Sequence, residues 1–167
     1  LNKMSFDERK VTDYAVAYMW GTAGVLYNKG LVTEEEALTC GSLWDPKFNN
    51  KILMKDSYRD CYGLSIIYAN TERLQKGEVT VEQLMNDNSK DAIVMAEEYL
   101  KMMKPNIAGW EADFGKEMMT KGKAWLNFTW SGDAVWAIEE AAAVDVELDY
   151  VVPIEGSNVW FDGWVIP

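Results

Sequence analysis

Three short stretches of this 167-residue chain place carboxylates at the ends of expected strands or the starts of expected helices, two of them beside tryptophans. In "NVWFDGWVIP", Asn158 to Pro167, Asp162 stands between Trp160 and Trp164. Residues i and i+2 of a strand share a face, so Trp160, Asp162 and Trp164 are expected to point one way and Phe161 the other. A carboxylate on an indole-lined face needs a charge partner or hydrogen bonds to stay ionised. An organic ammonium supplies the charge, and the indole faces attract the same group through their quadrupoles. In "TWSGDAVW", Trp130 ends a strand, Gly132 keeps the turn open and Asp133 falls in the first turn of a helix, where the macrodipole favours it. Taken alone, that segment is explained as well by a stabilised helix start. "KDSYRDC" has the same form, with Asp56 and Asp60, but Arg59 beside Asp60 could neutralise it in a surface ion pair of little worth.

The chain contains no histidine, which removes the commonest general base, the Ser-His-Asp arrangement and the usual zinc ligand together. Cys40 and Cys61 form neither a CxxC pair nor a metal-spaced set, and two buried thiols are expected, with pairing in an oxidising compartment left open. No catalytic residue, metal or cofactor is implied. The adjacent acids Glu139 and Glu140 could suggest a paired-carboxylate glycoside hydrolase, but neighbours on a helix point apart. A formal charge of −11 argues against nucleic acid as a partner and is explained first by solubility. Eight tryptophans exceed what one small core uses, so some are expected to line a surface or cleft. No run approaches the ~18 apolar residues of a membrane span, and no signal peptide opens the chain. It begins at Leu1, which reads as a processed product or an excised piece.

The elements that must position these residues alternate. Strands are expected over Val11–Trp20 and, after a Gly-rich turn, over the following residues; then at Lys51–Asp56, in "NIAGWEA", in "KAWLNFTW", in "VELDYVVP" and in "VWFDGWVIP". Between them lie a short helix capped by Thr33, a helix from Tyr58 to about Asn70, two helices capped by Thr80 and Ser89, a turn or two in "DFGKEMMTKG", and a helix that Ser131 caps. This alternation predicts a mainly parallel sheet with helices on both faces, and ligands in such sheets sit beyond the carboxyl ends of the strands. The three clusters fall at such junctions.

In order along the chain, "YAVAYMWGTAGVLYN", "LWDPKFNNKILMKDSYRD", "WSGDA" and "VPIEGSNVWFDGWVIP" resemble the spermidine/putrescine-binding proteins of bacterial ABC transporters, from about Tyr14 to Pro167. The resemblance implies a three-layer α/β/α lobe of a type II periplasmic binding protein, a mostly parallel sheet flanked by helices. Residues 1–167 are then a single lobe, the second of two, with hinge-like strands near 12–20 and 150–167. It implies polyamine binding for ABC-transporter uptake, at the periplasmic or extracellular face of the cell membrane. The implied partners are a polyamine, the first lobe of the same protein and a membrane permease. A lipoprotein, a free protein and a permease-fused parent all remain open.

Residue by residue, Asp60 stands where the family has an acid for an amino group, and Trp130 where an aromatic flanks the methylene chain. Asp133 matches an amine-binding acid of some members, Trp160 an aromatic wall, and Asp162 the carboxylate that grips an ammonium. Ser57 occupies a position that is acidic in some relatives. Ala17 departs from the proline usual in the first hinge strand. One lobe supplies roughly half of the contact surface, so weak binding by this chain alone is expected. The alternative is a lobe for another solute, such as a sugar or a different organic cation.

Overall fold

The computed structural model describes residues 5–6, 8–111 and 115–166; Asp113 and Phe114 at the start of one expected helix, and the terminal Leu1 and Pro167, lie outside them. A small antiparallel pair, β1 (Ser5–Phe6) and β2 (Arg9–Lys10), precedes the 14-residue β3 (Ala15–Asn28). Then follow α1 (Glu34–Ala37), β4 (Ile52–Lys55), α2 (Tyr58–Ala69), α3 (Thr71–Gln75), α4 (Val81–Met85) and α5 (Lys90–Met103). The chain continues through β5 (Ile107–Glu111), α6 (Gly115–Thr120), β6 (Leu126–Trp130), α7 (Ser131–Ala142), β7 (Leu148–Val151) and β8 (Val159–Val165).

The main sheet has the order β5-β4-β6-β3-β7. β4 pairs in parallel with β5 and β6, while β3 runs antiparallel to β6 and β7. Four of these strands therefore share one direction, with β3 set among them in reverse. Strand periodicity divides the core into two layers. Val25, Tyr27, Ile52, Met54, Leu126 and Phe128 meet Cys61 and Leu64 of α2 and Met103 of α5 on one face. Leu26 and Leu53 meet Met119 of α6 and Ala134, Ala137 and Ala141 of α7 on the other. The alanine stripe of α7 lets that helix lie close against the sheet.

Several helix starts follow their local chemistry. Thr33 and Glu36 form a reciprocal capping box, as do Thr80 and Gln83, and Ser57 and Ser89 each accept a backbone N–H of the first turn. Two expectations are corrected. The Gly-rich stretch is no turn, since β3 passes straight through Gly21 and Gly24. Those glycines serve close approach instead: a Cβ on Gly24 would lie 2.5 Å from the Val151 carbonyl oxygen and from the Tyr150 hydroxyl. Ser131 does not cap α7, whose N-cap is Trp130; its Oγ accepts from the backbone N–H of Thr22 at 3.2 Å and ties the helix start to β3.

The first part of β3 leaves the main sheet paired only with β8, from Ala15↔Val165 to Thr22↔Val159, with a register shift between Ala17 and Met19. Parts of the segments expected to act as hinges, 12–20 and 150–167, lie in this two-stranded ribbon, where Ala17 pairs with Gly163, while residues 150 and 151 belong to β7 of the main sheet. Val16, Tyr18, Trp20, Trp164 and Val165 on the ribbon are all exposed.

Candidate functional site

β4, β5 and β6 end side by side at Lys55, Glu111 and Trp130, and α2 and α7 begin within a few residues of those ends. The ribbon departs from the same edge, because Ala23 pairs with Trp130 and Gly21 with Trp160. The expected site residues thus come from four elements that share one rim of the sheet.

Asp60 is the buried centre of this rim, 5% exposed in the first turn of α2. Its Oδ2 accepts the indole Nε1–H of Trp130 at 2.9 Å, and its Oδ1 accepts the Asn158 amide at 2.9 Å. Both donors are neutral, and each carboxylate oxygen keeps a further acceptor position. Ser57 caps the helix below, accepting the Asp60 backbone N–H at 3.4 Å, which makes its observed role structural. Arg59, expected to compete for Asp60, is exposed and turns to Tyr58, 5.9 Å from the ring centroid.

Trp130 and Trp160 meet edge to face, with centroids 6.2 Å apart and planes at 60°. The two indoles form a corner beside Asp60. Gly21 is what lets Trp160 in: a Cβ there would lie 2.6 Å from both the Trp160 ring and Ser131 Oγ. The Trp160 Nε1–H is buried and has no hydrogen-bond partner among the described residues. Asp162 lies two residues along β8, opposite Met19, on exposed ribbon. Among the described residues its carboxylate makes no hydrogen bond or ion pair with a neighbour, and it is joined to the corner only through Trp160.

Asp133 sits in the first turn of α7, as expected, and already holds a cation. Its Oδ2 accepts from Lys55 Nζ at 2.6 Å. Lys55 is 3% exposed, 3.9 Å from Glu111 Oε1, and its Nζ lies 4.2 Å from the centroid of the Trp130 ring. Glu111 is equally buried and is held by the Asn127 amide at 3.3 Å, the Thr129 hydroxyl at 3.4 Å and the Gly115 backbone N–H at 3.3 Å.

The structure therefore joins Ser57, Asp60, Trp130 and Trp160 in one chain of contacts, and links Asp133 to it through Lys55 and the Trp130 face. Three participants escaped the sequence reading: Lys55, Glu111 and Asn158. Lys55 carried a signal, because in "ILMK" it shares a strand face with Leu53 and so had to enter the layer beneath α7. Asn158 carried none; its backbone carbonyl accepts the Ala23 N–H at 3.0 Å, a long-range pairing that turns its amide toward Asp60.

Carboxylates beside indole faces are groups that attract organic cations. Among the described residues no group of His, Cys, Asp and Glu could hold a metal ion, and no helix is long and apolar enough to cross a membrane.

A family model described as bacterial extracellular solute-binding protein matches residues 3–167. The spermidine/putrescine-binding periplasmic protein of Salmonella typhimurium is 25% identical over 155 residues, covering 93% of this chain and 40% of that protein. The putrescine/agmatine-binding protein of Pseudomonas aeruginosa is 25% identical over 156 residues, covering 92% and 42%. Among solved structures, the spermidine/putrescine ABC transporter substrate-binding protein of Streptococcus pneumoniae superposes with a TM-score of 0.73 at 29% identity, over 93% of this chain and 43% of that one. A periplasmic binding protein of A. tumefaciens in complex with glucopine shares the fold alone, with a TM-score of 0.71 at 17% identity, over 99% and 48%. The chain spans about two fifths of the length of the curated relatives it matches.

Proposed function

The chain belongs to the bacterial extracellular solute-binding proteins, a transport family, and on that premise we propose that it is the second lobe of a polyamine-binding protein. The lobe receives an alkylammonium at the rim formed by Asp60, Trp130, Trp160 and Asp162. The observation that carries the reading is the Asp60 carboxylate, buried beside the Trp130 indole yet held, among the described residues, only by the neutral donors of Trp130 and Asn158. An approaching ammonium finds acceptor positions on that carboxylate, an indole corner for its methylenes and the exposed Asp162 for a further charge. The names of the curated relatives agree with this chemistry.

The binding is non-covalent, with no bond made or broken. The exposed aromatic ribbon of β3 and β8 leads to the first lobe of the full-length protein, which closes over the ligand as a hinged clam and delivers it to a membrane permease. One open wall excludes little water and supplies part of the contacts, so the 167-residue chain alone binds weakly or not measurably.

Titration calorimetry of the full-length protein with putrescine and spermidine at low and high salt tests the reading. Binding is expected, and it should weaken as salt screens the ammonium–carboxylate attraction. Heat released by a sugar instead, with no salt dependence, would transfer the site to a neutral solute.

A further inference from the structure

The rim contains an ammonium that belongs to the protein. Lys55 ends β4 with its side chain beneath α7, and its Nζ lies 2.6 Å from Asp133 Oδ2, 3.9 Å from Glu111 Oε1 and 4.2 Å from the Trp130 ring centroid. Two carboxylates and the face of an indole are what a receptor for a primary ammonium presents. A four-methylene stem carries this ammonium in from the strand, and Lys55 and Glu111 are each only 3% exposed. The same indole donates its Nε1–H to Asp60, so one ring serves both the carboxylate left for a ligand and the cation already in place.

We propose that Lys55 is a tethered ammonium that fills an amine station between Asp133, Glu111 and Trp130, and so sets how many positive charges a ligand can place on this lobe. The inference rests on the polyamine reading for its ligand class and deepens it. Asp133, the acid that the resemblance assigned to an amine, is spent on Lys55. The grips that remain are Asp60 and Asp162. A ligand ammonium directed toward Asp133, whose side chain is 46% exposed, meets the fixed like charge of buried Lys55 behind it and is repelled. A ligand with fewer ammonium groups avoids that encounter. The lobe accordingly favours a diamine over a triamine, compared with the same lobe lacking the Lys55 charge.

Two arms on the full-length protein test this. The first needs no polyamine. Lys55→Ala deletes a group matched by n-propylammonium, so thermal unfolding is followed with n-propylammonium chloride against sodium chloride at equal ionic strength. The expected result is a saturable rise in Tm for Lys55→Ala that exceeds any rise in the wild type and returns to the wild-type level on adding Asp133→Asn. Equal responses of wild type and Lys55→Ala would overturn the proposal. The second arm uses Lys55→Met, which keeps the stem and removes the charge, and so serves also if the alanine variant fails to fold. Calorimetry with putrescine and spermidine is expected to show relative affinity shifting toward spermidine by about tenfold or more, as for removal of a like charge at close range. An unchanged ratio would overturn the proposal. If neither amine binds the wild type, the functional reading fails while the n-propylammonium arm still decides the status of Lys55.

Discussion

Trp130 and Trp160 offer a paired perturbation, because they lose the same atoms on substitution by phenylalanine but differ in the hydrogen bond to Asp60 and in the Lys55 ammonium over the Trp130 ring, both of which weaken in Trp130→Phe. Both indoles are half-buried and pack against each other. Trp130 Nε1 donates to Asp60 at 2.9 Å, whereas Trp160 Nε1 is buried without a partner among the described residues. Trp130→Phe therefore removes a hydrogen bond to a buried charged acceptor, worth about 1.5–3 kcal/mol, and leaves Asp60 with the Asn158 amide. Trp160→Phe removes a donor that makes no such bond, so its cost is that of the lost ring volume alone. The ring loss is common to both variants and cancels in the difference. Urea unfolding of the chain, with unchanged m-values as the check on the denatured state, should place Trp130→Phe at least ~1.5 kcal/mol below Trp160→Phe. Equal midpoints, or a larger loss for Trp160→Phe, would refute the idea that the Trp130 indole anchors Asp60.

Gly24→Ala should destabilise by roughly 1–3 kcal/mol, because the new methyl runs into the Val151 backbone carbonyl, while Gly132→Ala, with open space around it in α7, should be neutral or stabilise by about 0.5–1 kcal/mol; paired thermal melts check both. Burial pushes the Cys61 thiol up to about 11 and raises Cys40 as well, with the nearby Glu155 carboxylate contributing at Cys40. Neither thiol should react with a disulfide reagent at pH 8 until the chain is unfolded, and rapid labelling of the native protein would contradict this. The hydrogen bond from Lys47 holds the Glu36 carboxyl below its ordinary value, with the Thr33 backbone N–H adding to it. Because the folded value is the lower one, this stabilisation is complete above the unfolded carboxylate range and is lost as pH falls through the folded value. Glu36→Gln should flatten that acid limb in stability measured between about pH 6 and pH 3.

Much of the fold was legible because the signals were local. The caps at Thr33, Thr80 and Ser89 work within one turn, and the apolar runs in "KILMKD" and "KAWLNFTW" marked their strands. The failures come where tertiary contact overrides a local rule. Gly21 and Gly24 suggest a turn in isolation, yet they are glycines because Trp160, Ser131, Tyr150 and Val151 press against the strand. Ser131 is a good capping residue, diverted because Thr22 needs an acceptor. In the site, local sequence marked Asp60, Trp130 and Trp160, which the structure brings into one chain of contacts, and Asp162, which it leaves on the exposed ribbon, but the partners of these residues are set by sheet order. Asp133 appeared available in "WSGDA" because nothing local indicates that β4 lies beside β6 and delivers Lys55 to it.

The central claim is that a cationic amine settles at the indole corner between Asp60 and Asp162. Calorimetric titration of the full-length protein with spermidine, wild type beside Asp162→Asn at moderate salt, tests it most directly. The account predicts a loss of at least ~1.5 kcal/mol, about tenfold in Kd, as for a charge-assisted hydrogen bond. The same Kd for both proteins would contradict it.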